Sequence, residues 1–369
     1  MCKLDLPVAD VILDSLNDGL YVCDTERRIV YWSKSAERIT GWTAEDVVGH
    51  RCMDDILCHV DKDGRRLCGM DSCPLHRSMV TDKPSTCPVI VFGQTKSGRR
   101  VPMTVSVSPI HDAQGCVVGG VESFHDFSET YVDLERAKQI QMLSLEHDLP
   151  IDSRVGFATC YQPHDMIGGD YFAIRRLDAD RYGFFLADVM GHGVAAALHT
   201  MHLSSLWGHH CQALSRPAEF ARLMNRDLCK IVKDESFATG VCGILDAGAR
   251  TVRFASAGGP PIVVLNQDGE ARQVAAEGLP FGLFADADYD EAGFSCASGD
   301  CMLIFTDGAV EIRNADGQEL TAEGLIGILG TLGYPRPGVG LDAVQEALLS
   351  FSNDIRLDDD LSFLEIRFA

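Results

Sequence analysis

Apolar and polar positions alternate in short runs along most of this chain, and the runs mark out its elements. Residues 19–24 (Gly-Leu-Tyr-Val-Cys-Asp) alternate as a strand does, 25–28 supply a turn, and 29–32 form a second strand. A short helix over 33–40 stops at Gly41, and 11–16 reads as a short helix start. Strands follow over 89–94, 99–110 and 116–125, the last two joined by the turn Asp112-Ala-Gln-Gly115. Residues 128–149 contain no Gly or Pro and many helix formers, and Pro150 ends that run. Strand-like runs then recur at 154–161, 171–175, 182–188, 239–246, 251–257, 261–265, 301–306 and 362–367, with helical stretches over 193–213, 217–233 and 341–353. Consecutive strands joined by turns such as Gln267-Asp-Gly269 predict antiparallel sheets covered by helices, an α+β chain. The pattern divides the chain into a unit over 8–127, a helical linker over 128–150 and a second unit over 151–369. In the linker, Tyr131, Leu134, Ala137, Ile140, Leu143 and Leu145 make a partial apolar stripe, and Lys138 and Gln141 break one candidate heptad seam. The stripe fits a signalling helix that packs in a homodimer, or a helix lying on its own domain.

Length and composition narrow the function classes. The chain has 369 residues, 46% of them apolar, enough for two or three domains with real cores. No apolar run approaches twenty residues, so no transmembrane span is predicted, and the first ten residues carry acids and a proline where a signal peptide has its apolar region. A soluble cytoplasmic protein is the expectation. A net charge of -22 argues against nonspecific nucleic-acid binding and against anionic membrane surfaces.

Fourteen cysteines are many for such a chain, and four of them, Cys52, Cys58, Cys68 and Cys73, fall within 22 residues, with Pro74 after the last. Four thiols so close suit an iron-sulfur cluster or a structural zinc, and equally redox-active or merely structural thiols. His59 and His76 are near enough in sequence to substitute for a thiol. His125 could serve as a haem ligand, though one histidine on a strand is more often structural.

The strongest chemical signal is a set of acids beside glycines. Gly168-Gly169-Asp170 is followed by Asp188 in Asp-Val-Met-Gly-His-Gly, and Asp307 and the run Asp358-Asp359-Asp360 lie far downstream. Each of Asp170, Asp188, Asp307 and Asp359 borders a strand-like run. Four carboxylates gathered from such distances need cations, and oxygen-only donors favour hard divalent ions, magnesium or manganese. Two such ions about 4 Å apart activate a water and clamp a phosphoryl group, which points to metal-dependent phosphate-ester hydrolysis. His192 reads either as a general acid or as a helix-start residue at the rim of the site.

Two family resemblances sharpen this reading. Gly19-Leu-Tyr-Val-Cys-Asp24, Ile29-Val-Tyr-Trp-Ser33, Ala36-Glu-Arg-Ile-Thr-Gly-Trp42, Val48-Gly49 and the closing Asp126-Phe-Ser resemble a PAS sensor domain. PAS domains share a fold more than a function, so the signal sensed stays open. Tyr161-Gln-Pro163, Ile167-Gly-Gly-Asp-Tyr-Phe172, Asp188-Val-Met-Gly-His-Gly-Val-Ala-Ala-Ala197, Phe237-Ala-Thr239, Ala255-Ser-Ala-Gly-Gly-Pro260, Gly282-Leu283, Thr306-Asp-Gly-Ala-Val-Glu311 and Asp359-Asp-Leu-Ser362 resemble the SpoIIE/RsbU-type branch of the PPM serine/threonine phosphatases. Glu135-Arg-Ala-Lys-Gln-Ile-Gln141 is similar to the helix that leads into that domain.

The second resemblance implies an α-β-β-α sandwich of two antiparallel sheets flanked by helices. It implies two divalent cations, Mn2+ or Mg2+, bridged by Asp188, with Val189 lending a backbone carbonyl. Asp170 would help hold the site, Asp307 and Asp359 would complete one ion's shell, and Asp360 is a weaker candidate. Ala173 departs from the pattern, which often has an acid there. The implied reaction is hydrolysis of phosphoserine or phosphothreonine without a phosphoenzyme, on a STAS-type anti-sigma-factor antagonist in partner switching. A non-catalytic scaffold that binds partner-switching proteins is the alternative; its signature, a missing core aspartate, is absent. No nucleotide cyclase motif supports that further rival.

Overall fold

The computed structural model describes residues 13, 15–62, 64–69, 73–85, 89–145, 148–232, 236–314, 316–352 and 359–369. The chain forms two compact units that divide between Asp133 and Leu134. Residues 11, 12 and 14 of the expected first helix, and Asp358, lie outside the described residues.

The first unit begins with β1 (Gly19–Asp24) and β2 (Ile29–Trp32), then α1 (Lys34–Thr40), α2 (Ala44–Val47) and α3 (Pro74–Thr81). It closes with β3 (Val89–Gln94), β4 (Arg100–His111) and β5 (Val117–Asp126), all in one antiparallel sheet of order β2-β1-β5-β4-β3. Local chemistry sets the boundaries. The Ser33 side chain accepts the Ala36 N–H at the start of α1, and Gly41, at φ 76°, ends it. The β4–β5 turn is tied by the Asp112 carboxylate, which accepts the N–H groups of Gln114 and Cys116 at 2.9 Å each. Alternate residues of β1 and β5 (Tyr21 and Cys23; Glu122 and Phe124) are buried. Tyr21, Phe124 and Trp32 form the aromatic centre of this core, with ring centroids 5.6 to 6.4 Å apart.

The linker helix α4 (Ser128–Ser144) runs across the division between the units and stops short of the 149 expected from composition. The second unit then gives β6 (Val155–Gln162), β7 (Asp170–Arg176) and β8 (Arg181–Val189), followed by α5 (Val194–His210) and α6 (Pro217–Ile231). Next come β9 (Ala238–Asp246), β10 (Thr251–Ala257), β11 (Ile262–Leu265), β12 (Ala271–Val274), β13 (Ala292–Ser295) and β14 (Cys301–Phe305). Helices α7 (Thr321–Leu332) and α8 (Leu341–Ser352) and the final strand β15 (Leu361–Phe368) complete it.

Two five-stranded antiparallel sheets result, of order β13-β10-β9-β8-β7 and β12-β11-β14-β15-β6. Strand periodicity explains how the second sheet is covered on both faces. Ile262 and Val264, Met302 and Ile304, and Leu364, Ile366 and Phe368 join the core that includes the first sheet. The intervening Val263, Leu265, Cys301, Leu303, Phe305 and Phe363 pack instead with Leu325 and Leu329 of α7 and Val344 and Leu348 of α8. On the first sheet, Phe185 meets Trp207 of α5 and Phe220 of α6, with centroids 6.1 and 5.6 Å away. Helix, sheet, sheet and helix therefore stack in that order, and the chain is α+β.

Candidate active site

Antiparallel register does the first part of the assembly. Asp170 opens β7 and Asp188 nearly closes β8, and the two are direct cross-strand partners. The other two acids come from the second sheet. Asp307 follows the end of β14, and Asp359 and Asp360 precede β15, the strand paired with β14. The sheets are stitched at this corner: Thr306 Oγ1 donates to Asp170 Oδ2 at 3.0 Å while accepting the Ser362 N–H at 3.1 Å.

The glycines are there because nothing larger fits. A Cβ on Gly169 would lie 2.8 Å from the Val189 carbonyl oxygen and 3.2 Å from that of Gly191. On Gly168 it would collide with the Asp360 carboxylate and lie 2.6 Å from the Tyr161 hydroxyl. Asp360 acts as a clamp on this loop. Its Oδ1 accepts the His164 N–H at 2.6 Å and its Oδ2 accepts the Gly169 N–H. Both oxygens are thus engaged by backbone, which sets Asp360 apart from its neighbours. Asp359 Oδ1 accepts the Asp360 N–H at 2.8 Å.

The carboxylates crowd each other. Burial first, and then Asp307, Asp359 and Asp360, push Asp188 up to about 8. Burial, with Asp188 and Asp360, drives Asp170 well above the usual carboxylate range, and Asp307 is raised by burial and by Asp359. Asp170 Oδ1 is buried with no hydrogen-bond donor against it. Acceptors that face one another need either a shared proton or a cation between them. The donor set is all oxygen, which suits a hard divalent ion. Among the described residues, no three His, Cys, Asp or Glu side chains close on a single point, so the donors are gathered without being drawn into a finished ligand shell.

A polar side chain from α4 completes the support. Gln141, buried, donates from Nε2 to the Gly168 carbonyl oxygen (2.6 Å) and to Thr200 Oγ1 (3.0 Å). Its Oε1 accepts the Gly168 N–H at 3.2 Å. Sequence reasoning noted Gln141 only as a break in a heptad seam; an apolar stripe interrupted by an uncharged amide was the available signal. Ala173 lies in the apolar core opposite Phe185, facing no acid.

The first unit buries a second polar group. The four clustered cysteines do not stay together as a set. Cys52 lies against Cys23 of β1, and Cys68 and Cys73 are close enough to Cys52 and Glu122 to feel their charge. Cys58 instead points its thiol to the Met53 carbonyl oxygen at 3.4 Å. Cys68 Sγ accepts the His59 N–H at 3.0 Å. Burial pushes Cys73 up to about 11 and Cys68 higher still, while contact with the Cys23 thiol, then burial, raises Cys52. His59 Nε2 and Glu122 Oε1 stand 3.7 Å apart, 3% and 1% exposed, and neither has a hydrogen-bond partner. Burial lowers His59 to about 4 and raises Glu122 to about 8, so at neutral pH this contact joins two largely uncharged groups. His125 is exposed and its Nδ1 faces Asp18 Oδ1 at 2.8 Å, a surface pair rather than an enclosed ligand.

Comparison with known proteins agrees with this architecture. Residues 13–132 match the family model "PAS fold". "Phosphoserine phosphatase RsbP" of Bacillus subtilis is 26% identical over 183 residues, 48% of this chain and 45% of that protein. "Phosphoserine phosphatase RsbU" of the same organism is 25% identical over 186 residues, 50% of this chain and 55% of that one. The chain spans about half the length of these curated relatives. Among solved structures, the SiaA-PP2C domain of Pseudomonas aeruginosa superposes with a TM-score of 0.57 at 22% identity, over 65% of this chain and 98% of that one, a likeness of fold. The RsbU and RsbW domains of Rv1364c from Mycobacterium tuberculosis give 0.53 at 25% identity, over 61% and 63%. Residues 178–369, just over half of the chain, match the family model "Stage II sporulation protein E (SpoIIE)", and the chain, with its PAS domain ahead of that region, belongs to the SpoIIE family.

Proposed function

We propose that this chain is a metal-dependent protein serine/threonine phosphatase controlled by its PAS unit. The observation that carries the proposal is the meeting of four acids from two sheets, with Asp170 and Asp188 directly opposite and each raised by burial and then by neighbouring carboxylates. Asp170, Asp188, Asp307 and Asp359, with the Val189 carbonyl, would hold two divalent cations, manganese or magnesium. When bound, such cations activate water and offset the charge that develops on the phosphoryl oxygens. The chain's own residues fix the geometry: Asp360 and Gln141 hold the Gly168–Gly169 loop, and Thr306 orients Asp170. The substrate we propose is a phosphorylated STAS-type anti-sigma-factor antagonist in a cytoplasmic partner-switching system. The likeness to two proteins named phosphoserine phosphatases supports this reading. In the described residues no helix is long and apolar enough to cross a membrane.

The PAS unit would act through α4, whose Gln141 touches the metal-site loop, and a homodimer formed along that helix would place two such inputs side by side. The thiols of Cys52, Cys68 and Cys73, with Cys23 beside them, are the proposed input, as iron-sulfur or zinc ligands or as redox-active thiols. Cys58 is the weakest member of the set, since its thiol is engaged elsewhere. The test is phosphate release from phosphorylated STAS proteins with manganese present, on protein purified without air and then oxidised, with metal analysis and visible spectra of both samples. Release that changes with oxidation supports the whole reading. Binding of the STAS protein without release would make the chain a non-catalytic scaffold. A colourless, metal-free first unit would remove the cluster and zinc readings.

A further inference from the structure

Among the described residues of the second unit, large exposed apolar side chains occur in two sets: the end of α4 with Ile151, and Met190, Val194, Leu198, Leu279, Leu283 and Phe284. Backbone pairing ties the second set to the carboxylate corner. Val189, beside Asp188, ends β8 and pairs with Ala238, the first residue of β9. The Ala238 N–H donates to the Phe281 carbonyl oxygen at 2.9 Å, and the Phe281 N–H donates to the Ala238 carbonyl oxygen at 2.8 Å. Three backbones therefore lie side by side, which puts Phe281 about 10 Å from Val189 at ordinary strand spacing. The Met190 N–H donates to the Phe237 carbonyl oxygen at 2.9 Å, which keeps Met190 on the same edge. Helix α5 starts a few residues later, and Val194 and Leu198, four apart, share one exposed face of its first turns.

The loop after Phe281 is held so that its apolar residues cannot fold inward. Asn225 of α6, itself buried, accepts the Gly282 N–H through Oδ1 at 2.8 Å and donates from Nδ2 to the Phe284 carbonyl oxygen at 2.7 Å. Phe281 takes the inward place, its ring 6.1 Å from that of Phe185. Leu283 and Phe284 are left 41% and 54% exposed, and Asp286 and Asp290, both exposed, follow them. Two large apolar side chains fixed in water are unfavourable in the free protein and suit a surface that a partner covers.

We propose that Met190, Val194, Leu283 and Phe284 form the surface on which the phosphoprotein substrate docks, with Asp286 and Asp290 facing basic side chains of that substrate. This rests on the phosphatase reading above. Position names the occupant. A chain seated here lies within about 10–15 Å of the carboxylates, the span of three or four extended residues, so it is continuous with the chain that presents phosphoserine or phosphothreonine to them. Charge agrees with this. At a net charge of -22 the protein does not attract a phosphorylated partner from a distance, so apolar contact has to supply the affinity. The acids beside Phe284 complement a partner that carries lysine or arginine next to its apolar anchor. The carboxylate corner acts on the phosphoryl group, and this surface selects the protein that bears it.

Comparison of a protein substrate with a small one tests the assignment. On phosphorylated STAS proteins with manganese, Leu283→Ser and Phe284→Ser should each raise KM about tenfold, the effect of losing one interface anchor, with kcat kept at saturation. Val194→Ser, on a separate element, should act in the same direction. On p-nitrophenyl phosphate, which is too small to reach the surface, all three variants should stay within about twofold of wild type, which also shows that they fold. Asp286→Lys should raise KM for the protein substrate about threefold at low salt, and high salt should remove the difference. An unchanged KM for the protein substrate in the three apolar variants, or equal losses on both substrates, would overturn the docking surface while leaving the phosphatase reading intact. So would hydrolysis of p-nitrophenyl phosphate by the wild-type chain without hydrolysis of any STAS protein. An unchanged or lower KM in Asp286→Lys would overturn the basic character of the partner. If the wild-type chain with manganese hydrolyses neither substrate, the phosphatase reading fails and the docking surface falls with it.

Discussion

Asp360 illustrates how a single residue in this site can be mistaken for its neighbours. It stands in a run of three acids, yet both of its oxygens hold backbone N–H groups, those of His164 and Gly169. An asparagine there would turn a donor toward one of those N–H groups. Asp360→Asn should therefore loosen the Gly168–Gly169 loop, at about 1–3 kcal/mol for the buried donor left without an acceptor. The predicted outcome is weaker manganese activation and a lower unfolding temperature, read by titrating the cation and by calorimetry. Unchanged values for both would show that the clamp is not needed.

At the same scale, Glu122 and His59 make the first unit sensitive to pH. Glu122 favours the folded state while protonated; that advantage is whole below its usual 4.5 and is lost as pH rises through about 8. His59 favours the folded state while neutral; that advantage is whole above its usual 6.5 and is lost as pH falls through about 4. Between pH 4.5 and 6.5 the two slopes oppose each other, and above 6.5 only the loss from Glu122 remains. The first unit should weaken from pH 6.5 to 8, and Glu122→Gln should remove that trend. Hydrogen-exchange protection factors for the β1 and β5 amides, taken across that window, report it. An equal decline in the variant would contradict the assignment.

Among the elements, α4 joins the site most directly. Its amide at Gln141 makes three hydrogen bonds to Gly168 and Thr200, so the position of the helix and the shape of the Gly-Gly-Asp loop are linked. Gln141→Ala leaves the Gly168 N–H and C=O to find other partners, at about 1–3 kcal/mol each where they stay buried. Phosphatase activity should fall at least about tenfold on that scale, with circular dichroism unchanged. Full activity in the variant would separate the helix from the site.

Much of this was legible from the chain. The strands that carry Asp170, Asp188 and Asp307 read clearly because their apolar runs end at acids beside glycines. Helix α7 was not found, because Gly324, Gly327 and Gly330 interrupt it with poor helix formers and its face is read only once β14 and β15 lie beneath it. The thiol group was half legible: spacing placed Cys52, Cys68 and Cys73 together, but Cys23 arrives from a strand some thirty residues earlier, and pairing across a sheet leaves no mark in local spacing. The clamp of Asp360 and the reach of Gln141 were hidden for the same reason, since each acts on backbone far away in sequence.

The whole molecule joins a PAS domain to a SpoIIE-type domain through one helix, in a chain of net charge -22. Part of that charge is concentrated at one corner of the second unit, where the proposed cations would offset the repulsion between the carboxylates. Manganese or magnesium should therefore raise the unfolding temperature of the second unit, and Asp188→Ala should abolish most of that rise while itself stabilising the cation-free protein. A stabilisation of equal size in wild type and variant would place the cation elsewhere.

The most direct test of the central claim is manganese-dependent hydrolysis of p-nitrophenyl phosphate by the full chain and its Asp188→Ala variant. The four-aspartate site predicts turnover that appears with manganese, vanishes with chelator, and falls at least about a thousandfold in the variant, the scale on which metal-assisted catalysis is lost. Turnover in the variant equal to wild type, or turnover indifferent to chelator, would contradict the account.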